Sequence, residues 1–256
     1  DMSVALTELG IYLDVCLRTD QFQDYCPNGL QVEGKPQVVR LATGVTACQR
    51  FLDAAIDWGA DAVLVHHGYF WRGEAPQVVG IKRRRLATLL VNEVSLLAYH
   101  LPLDAHPQLG NNARLGCLMG IDLAFQEPLQ PNVSGGLGNI GSLPEAISAA
   151  EFVVKLEGIT GRRALHVGHS ESPVRRIAWC TGAAQDYIDA AVKAGADLFV
   201  TGEASEQTVH TAREEGIHFV AAGHHATERY GVQALGDHLA GQFSLEHRFI
   251  DIDNPV

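Results

Sequence analysis

Apolar and polar positions along the chain switch between two periods, and they do so twice in the same order. From Ala47 to Val65, ACQRFLDAAIDWGADAVLV, apolar residues first recur at helical spacing and then run on as in a buried strand. The segment Ala183 to Thr201, AAQDYIDAAVKAGADLFVT, aligns with it without gaps and shares DAA and GAD at one fixed offset. In each copy GAD closes the helix, with Gly59 or Gly195 suited to a left-handed cap. Candidate strands precede both helices, VVRLATGV from Val38 and VRRIAWCTG from Val174. Two more follow, VSLLAYHLPLDAH from Val94 and IHFVAAGHHATER from Ile217, each stopping at histidine and acid. Strand, helix, strand is the βαβ signature, so the expected class is α/β with largely parallel sheets, built by an internal duplication.

Between the copies, QEPLQPNVSGGLGNIGSLPEA is rich in Pro, Gly and Asn and reads as a connection. It predicts a boundary near residue 130, with a first half over 1–129 and a second over 130–256. Within it, GLGNIG from Gly136 to Gly141 matches the dinucleotide pattern GxGxxG. No buried strand precedes it and Pro144 follows soon after, so a flexible glycine turn is the expected reading.

Composition narrows the class. The 256 residues are 46% hydrophobic and 19% charged, as in a soluble globular protein with real cores. The formal net charge of −11 repels a nucleic-acid backbone, and the one basic cluster is KRRR at Lys82 to Arg85. Nucleic acid is therefore not an expected partner. Cys16, Cys26, Cys48, Cys117 and Cys180 are scattered without a CxxC pair, which predicts free thiols in a reducing compartment. Acids in DMSVALTELGIYLD stand where a signal peptide carries Lys or Arg, and no apolar run reaches bilayer length. A cytoplasmic location is expected.

Three polar clusters stand where predicted strands end. The first is His66-His67, closing the run in AVLVHHGYFWRGE. Neighbouring strand residues face opposite sides, but at a strand end Gly68 lets the backbone bring both imidazoles around. Two surface histidines at a loop entrance account for the pair equally well. The second cluster is YHLPLDAH, with His100, Asp104 and His106. Pro102 breaks the strand, which predicts Asp104 in the loop beyond it, at the edge where open α/β sheets bind ligands. Ordinary turn chemistry is the competing account of that Asp. The third is AAGHHATERYGVQALGDHL, where His224 and Glu228 stand four apart on one face of a helical turn. Such an imidazole and carboxylate make half of a metal site; a Glu favouring the helix dipole is the plainer alternative. His225 points elsewhere.

Taken together, VLVHHGYFWRGE, YHLPLDAHPQLGNNARLG, GLGNIG, VTGEASEQTVHTARE, HFVAAGHHATERYGVQAL and FIDIDNPV resemble the NIF-three-like family over nearly the whole chain. Its bacterial members carry the label GTP cyclohydrolase I type 2 homologue, and the YbgI branch is the nearest. The resemblance implies two similar, intertwined three-layer α/β/α domains and a toroidal homohexamer. It also implies two divalent metal ions per subunit, held by His66, His67, Asp104, His224 and Glu228, with Glu228 as the bridge. Zinc, iron, manganese and nickel all suit such ligands. His100 lies beside these residues as a candidate proton carrier, and Glu203 faces the same region in the repeat comparison.

The expected activity is hydrolysis of a nucleotide or similar small metabolite by a metal-activated water. The rival reading is a non-enzymatic metal-binding ring that serves as a scaffold or binds a partner. The substrate is not written in the residues.

Overall fold

The structure is a computed structural model that describes residues 2–131 and 136–256. In chain order the first elements are β1 (Val4–Ala5), α1 (Leu6–Leu17), β2 (Gly29–Val32), β3 (Gln37–Val38) and β4 (Arg40–Thr46). They are followed by α2 (Gln49–Trp58), β5 (Ala62–His67), α3 (Gly80–Val91), β6 (Ser95–Ala98) and α4 (Leu101–Ala105). Next come α5 (Asn111–Leu118), β7 (Glu127–Gln130), β8 (Leu137–Ser148), α6 (Ala149–Thr160) and β9 (Leu165–Val167). Then β10 (Pro173–Trp179), α7 (Ile188–Lys193), β11 (Leu198–Thr201), α8 (Glu206–Glu215) and β12 (His218–Ala221). The last are α9 (His224–Thr227), α10 (Tyr230–Phe243) and β13 (Glu246–Phe249). The chain divides into two compact units, Asp1–Leu103 with Gly231–Asp253, and Asp104–Tyr230 with Asn254–Val256.

The first unit holds a five-stranded sheet in the order β13-β4-β5-β6-β2. Its first four strands are parallel, and β2 joins β6 antiparallel. Residues 62–66 of β5 are all buried, with no alternation, as expected of a parallel strand covered on both faces. One face packs Val63, Val65, Leu96 and Ala98 against Phe51, Leu52 and Ala55 of α2 and Leu86 and Leu89 of α3. Each Val, Leu or Phe side chain among them, fully buried, contributes roughly 1.5–3 kcal/mol. Gly44 admits the Phe51 ring, whose nearest atom would stand 2.4 Å from a Cβ there.

The second unit has six strands in the order β7-β8-β10-β11-β12-β9. Only β10, β11 and β12 are parallel; β7, β8 and β9 run antiparallel to their neighbours. Along β11, Leu198 and Val200 pack with Phe152 and Leu156 of α6, whereas Phe199 packs with Ile188 and Ala191 of α7 and Ala212 of α8. Helices therefore cover both faces, giving the three layers expected.

The repeated GAD has a physical reason. Gly59 and Gly195 take φ of 84° and 73°, the left-handed region that ends a helix without a Cβ penalty. Two residues on, Asp61 Oδ2 accepts the backbone N–H groups of Val39 and Arg40 at 2.9 and 3.0 Å. Asp197 Oδ2 does the same for Arg175 and Arg176 at 2.9 and 2.8 Å. One carboxylate thus ties the end of each helix to the start of the strand before it.

Parallel strands form the centre of both large sheets, as expected, and antiparallel strands flank the three parallel strands of the second unit. Three expectations need revision. The Pro/Gly-rich segment is no linker: its described parts form β7 and β8, paired antiparallel, while residues 132–135 lie outside the described residues. Compactness accordingly changes at Leu103/Asp104 and Tyr230/Gly231 and not near residue 130. All of GLGNIG after Gly136 is strand, not a flexible turn, because its glycines permit close approach: a Cβ on Gly138 would stand 2.9 Å from the Trp179 carbonyl oxygen, and one on Gly141 2.7 Å from that of Phe125. Finally, Asp104 lies on the one-turn helix α4 and not in a loop, since Pro is tolerated in a first helical turn.

Candidate metal centre

In the first unit the side chains of interest gather at the C-terminal ends of the parallel strands β5 and β6, the edge where open α/β sheets bind ligands. His66 and His67 end β5, and their ring centroids lie 4.7 Å apart. Gly68 does not supply a left-handed turn. It is small because a Cβ would meet Gln31 Oε1 at 2.3 Å and Ala98 Cβ at 2.6 Å. His66 is wholly buried and its Nδ1–H donates to the Tyr99 carbonyl at 2.9 Å. That bond puts the proton on Nδ1, so that in the neutral ring the lone pair is on Nε2. His67 Nδ1 shares a 3.0 Å hydrogen bond with Thr46 Oγ1 at the end of the adjoining strand.

His100, just beyond β6, completes a trio: one ligand nitrogen from each of His66, His67 and His100 lies within 4.8 Å of the others. Its Nδ1 donates to Asp24 Oδ1 at 2.7 Å, and its backbone N–H to Asn28 Oδ1 at 2.7 Å. Asp24 also accepts from the Leu101 N–H at 2.9 Å and from Asn28 Nδ2 at 3.0 Å. Burial pushes its carboxyl up, but His100, Asn28 and the Leu101 amide together outweigh that and hold it down at about 2. Neighbouring Cys26 is driven up to about 12, by burial first and then by the Asp24 charge, so it stays a thiol at neutral pH.

In the second unit, Asp104 and Glu228 are almost fully buried and offer carboxylate oxygens within 4.8 Å of each other. Asp104 Oδ1 accepts from Asn111 Nδ2 at 2.9 Å and Thr181 Oγ1 at 3.2 Å; its backbone carbonyl accepts from Asn112 Nδ2 at 3.1 Å. His224 opens the short turn α9 and Glu228 caps its end, with Nε2 3.1 Å from Oε2. The other ring nitrogen, Nδ1, meets Glu203 Oε1 at 2.7 Å. Burial pulls the His224 imidazolium down, but Glu228 and then Glu203 more than offset it, raising it to about 9. Thr227 locks the turn, donating to the Gly223 carbonyl at 2.8 Å and accepting from the Gly182 N–H at 3.1 Å. Gly182, at φ +79°, cradles the pair: a Cβ would stand 2.3 Å from Glu228 Oε1 and 3.4 Å from His224 Nε2.

Not every candidate joins these sets. His106 Nδ1 accepts the backbone N–H groups of Gln108 and Leu109 at 3.2 and 2.9 Å, a local turn role. His225 donates its backbone N–H to the Val256 carbonyl. Sequence reasoning missed Asp24, Asn111, Thr181 and Gly182. Asn111 lay within a quoted motif, but nothing in sequence spacing links Asp24 to His100.

Imidazoles and carboxylates held by hydrogen bonds from behind, with a glycine cradle beside two of them, fit divalent cations of the zinc, iron, manganese or nickel type.

Relatives agree in length and fold. A curated protein of Pseudomonas aeruginosa, named GTP cyclohydrolase 1 type 2 homolog, is 57% identical over 255 residues, covering 100% of both chains. A protein of the same name from Escherichia coli (strain K12) is 51% identical over 252 residues, 98% of this chain and 99% of its own. The solved structure of protein ybgI, described as of unknown function, superposes with a TM-score of 0.93 at 49% identity, covering 99% of this chain and 100% of that one. Among the described residues, no helix is long and apolar enough to cross a membrane. Residues 4–255 match the Duf34/NIF3 (NGG1p interacting factor 3) family, and the chain belongs to it.

Proposed function

We propose that the protein is a dinuclear-metal-dependent hydrolase, GTP cyclohydrolase 1 type 2-like, acting on a nucleotide or a similar small metabolite. Its metal ligands in this reading are His66, His67, Asp104, His224 and Glu228. Glu228 is the bridging ligand, since one carboxylate offers two oxygens. Imidazoles and carboxylates without thiolates are of the type found in working hydrolytic sites and not in closed, thiolate-rich structural ones. The observation that carries the reading is the buried His66, whose Nδ1–H is committed to the Tyr99 carbonyl so that Nε2 is the coordinating nitrogen.

When bound, divalent cations supply Lewis acidity and lower the pKa of a coordinated water toward neutrality. The chain's own residues do the rest. Asp104 and Glu228 offset the cationic charge, Asn111 and Thr181 hold the Asp104 carboxylate in place, and Glu203 orients His224. Because Asp24 takes the Nδ1–H of His100, Nε2 of that ring is the basic nitrogen. His100 accepts a proton there from the hydrolytic water and returns it to the leaving nitrogen or oxygen. The assembly that goes with this reading is a homohexamer, which light scattering checks directly.

His224→Ala and Glu228→Ala are expected to lose at least one metal ion per chain while keeping a folded circular-dichroism spectrum. Unchanged metal content in both variants refutes the ligand set. Full metal content with no turnover across a panel of nucleotides, dinucleotides and small amides favours the scaffold instead.

A further inference from the structure

The loop that follows His67 is braced beyond what a surface loop needs. Phe70 sits at φ 63°, in the left-handed region that a bulky side chain rarely adopts, so surrounding contacts must hold it there. Tyr69 donates its hydroxyl to the Ala47 carbonyl at 2.7 Å and its backbone N–H to Gln31 Oε1 at 2.7 Å. From α3, the Lys82 ammonium stands 5.2 Å from the Phe70 ring centroid and 3.2 Å from Glu74, and Arg85 lies 5.9 Å from the Tyr69 ring. Glu74 in turn accepts the Trp71 backbone N–H. Two members of the KRRR cluster are thereby spent on this loop.

What the bracing presents is Trp71. Tyr69 and Phe70 pack on the core of the first unit, whereas Trp71 stays half-buried outside that cluster. Its indole N–H donates to the Gly68 carbonyl at 3.2 Å, which fixes the side chain. The ring meets His100 at 88° with centroids 5.0 Å apart, and His67 at 6.1 Å. Next to it, exposed Arg72 lies over exposed Tyr25 at 5.7 Å. A rigid, partly exposed indole beside the imidazole trio, with a guanidinium adjoining, suits a flat π-system carrying negative charge.

We infer that Trp71 is the stacking platform for a planar heteroaromatic ring of the substrate, with Arg72 receiving an anionic substituent. This rests on the reading that the imidazole trio belongs to the reaction site, and it adds the residues that recognise the ring and the charge of the substrate. Lys82 and Arg85 serve as positioning residues for the platform, not as a nucleic-acid surface.

The test uses the purified full chain and Trp71→Ala and Trp71→Phe variants, titrated with guanosine, adenosine, GTP and inorganic triphosphate by calorimetry and tryptophan fluorescence. Ring-bearing ligands are expected to quench wild-type emission and to bind Trp71→Ala about tenfold or more weakly, with Trp71→Phe within about threefold of wild type. Inorganic triphosphate should bind all three proteins alike. The inference is overturned if no ring-bearing ligand binds the wild type, if Trp71→Ala binds them as tightly, or if triphosphate affinity falls in parallel. Metal content is measured on the same samples. Ring binding that persists in a protein unable to retain metal sinks the hydrolase reading and leaves Trp71 standing.

Discussion

Gly182→Ala separates the metal-binding role of Gly182 from its backbone role. At φ +79° an alanine costs about 1–2 kcal/mol of backbone strain. For a chain of this size that is a fall in Tm of roughly 2–8 °C. The added Cβ would also stand 2.3 Å from Glu228 Oε1, and Glu228 is 2% exposed, so it cannot swing out into water. Relief requires a carboxylate shift of roughly 1 Å, several times the tolerance of about 0.2 Å in a metal–ligand distance. Metal affinity should therefore drop by about 10–100-fold or more. Gly195→Ala is the control: φ is +73°, but nothing lies within 4 Å of its Cβ. With chelator present, differential scanning fluorimetry should show the backbone penalty in both variants, and a larger total loss in Gly182→Ala because of the added contact with buried Glu228. Only Gly182→Ala should lose metal by elemental analysis, and only it should lose the added stability that metal confers. If Gly182→Ala retains wild-type metal content, the assignment of Glu228 as a ligand is wrong.

Other expectations are simpler to check. Asp61→Ala should cost about 2 kcal/mol and Asp197→Ala about 1 kcal/mol in urea unfolding, because each removes a carboxylate that holds two backbone N–H groups. Asp197 is the more exposed, so water replaces more of what it provides. A second test is acid sensitivity of the β9–β12 edge, where His166 Nε2 and His218 Nδ1 share a 3.0 Å hydrogen bond. Burial, then the His218 charge, lowers His166; burial and His169 lower His218 against an opposing pull from Asp197. Folded imidazoles that bind protons less readily than unfolded ones contribute stability that is complete above the ordinary value of 6.5 and lost as pH falls below it. The fall in Tm from about pH 7.5 to about pH 5.5 should be smaller in His166→Gln than in the wild type. An equal fall in both would remove the pair from the account.

Much of the fold was legible because its cause is local. The GAD repeat encodes a helix stop and a carboxylate clamp within three residues, so two copies announce two βαβ units. Strand-end histidines were legible for the same reason, since a continuous apolar run marks β5 and its last residues mark the sheet edge. The four-residue spacing of His224 and Glu228 translated directly into a 3.1 Å contact. What escaped depends on distant pairing. Asp24 meets His100 across 76 positions, and Thr181 meets Asp104 across 77. Glycine was read too simply as a turn former: at Gly68, Gly138 and Gly141 it marks close approach within or beside strands. The KRRR cluster read as surface charge, yet two of its members, Lys82 and Arg85, reach the aromatic rings of the loop after His67.

The most direct measurement of the central claim is electron paramagnetic resonance of metal-stripped protein reloaded with manganese(II). Two equivalents should bind per chain and give an exchange-broadened spectrum from neighbouring ions sharing a carboxylate. A single equivalent, or the sharp six-line signal of isolated ions at full loading, contradicts a dinuclear centre.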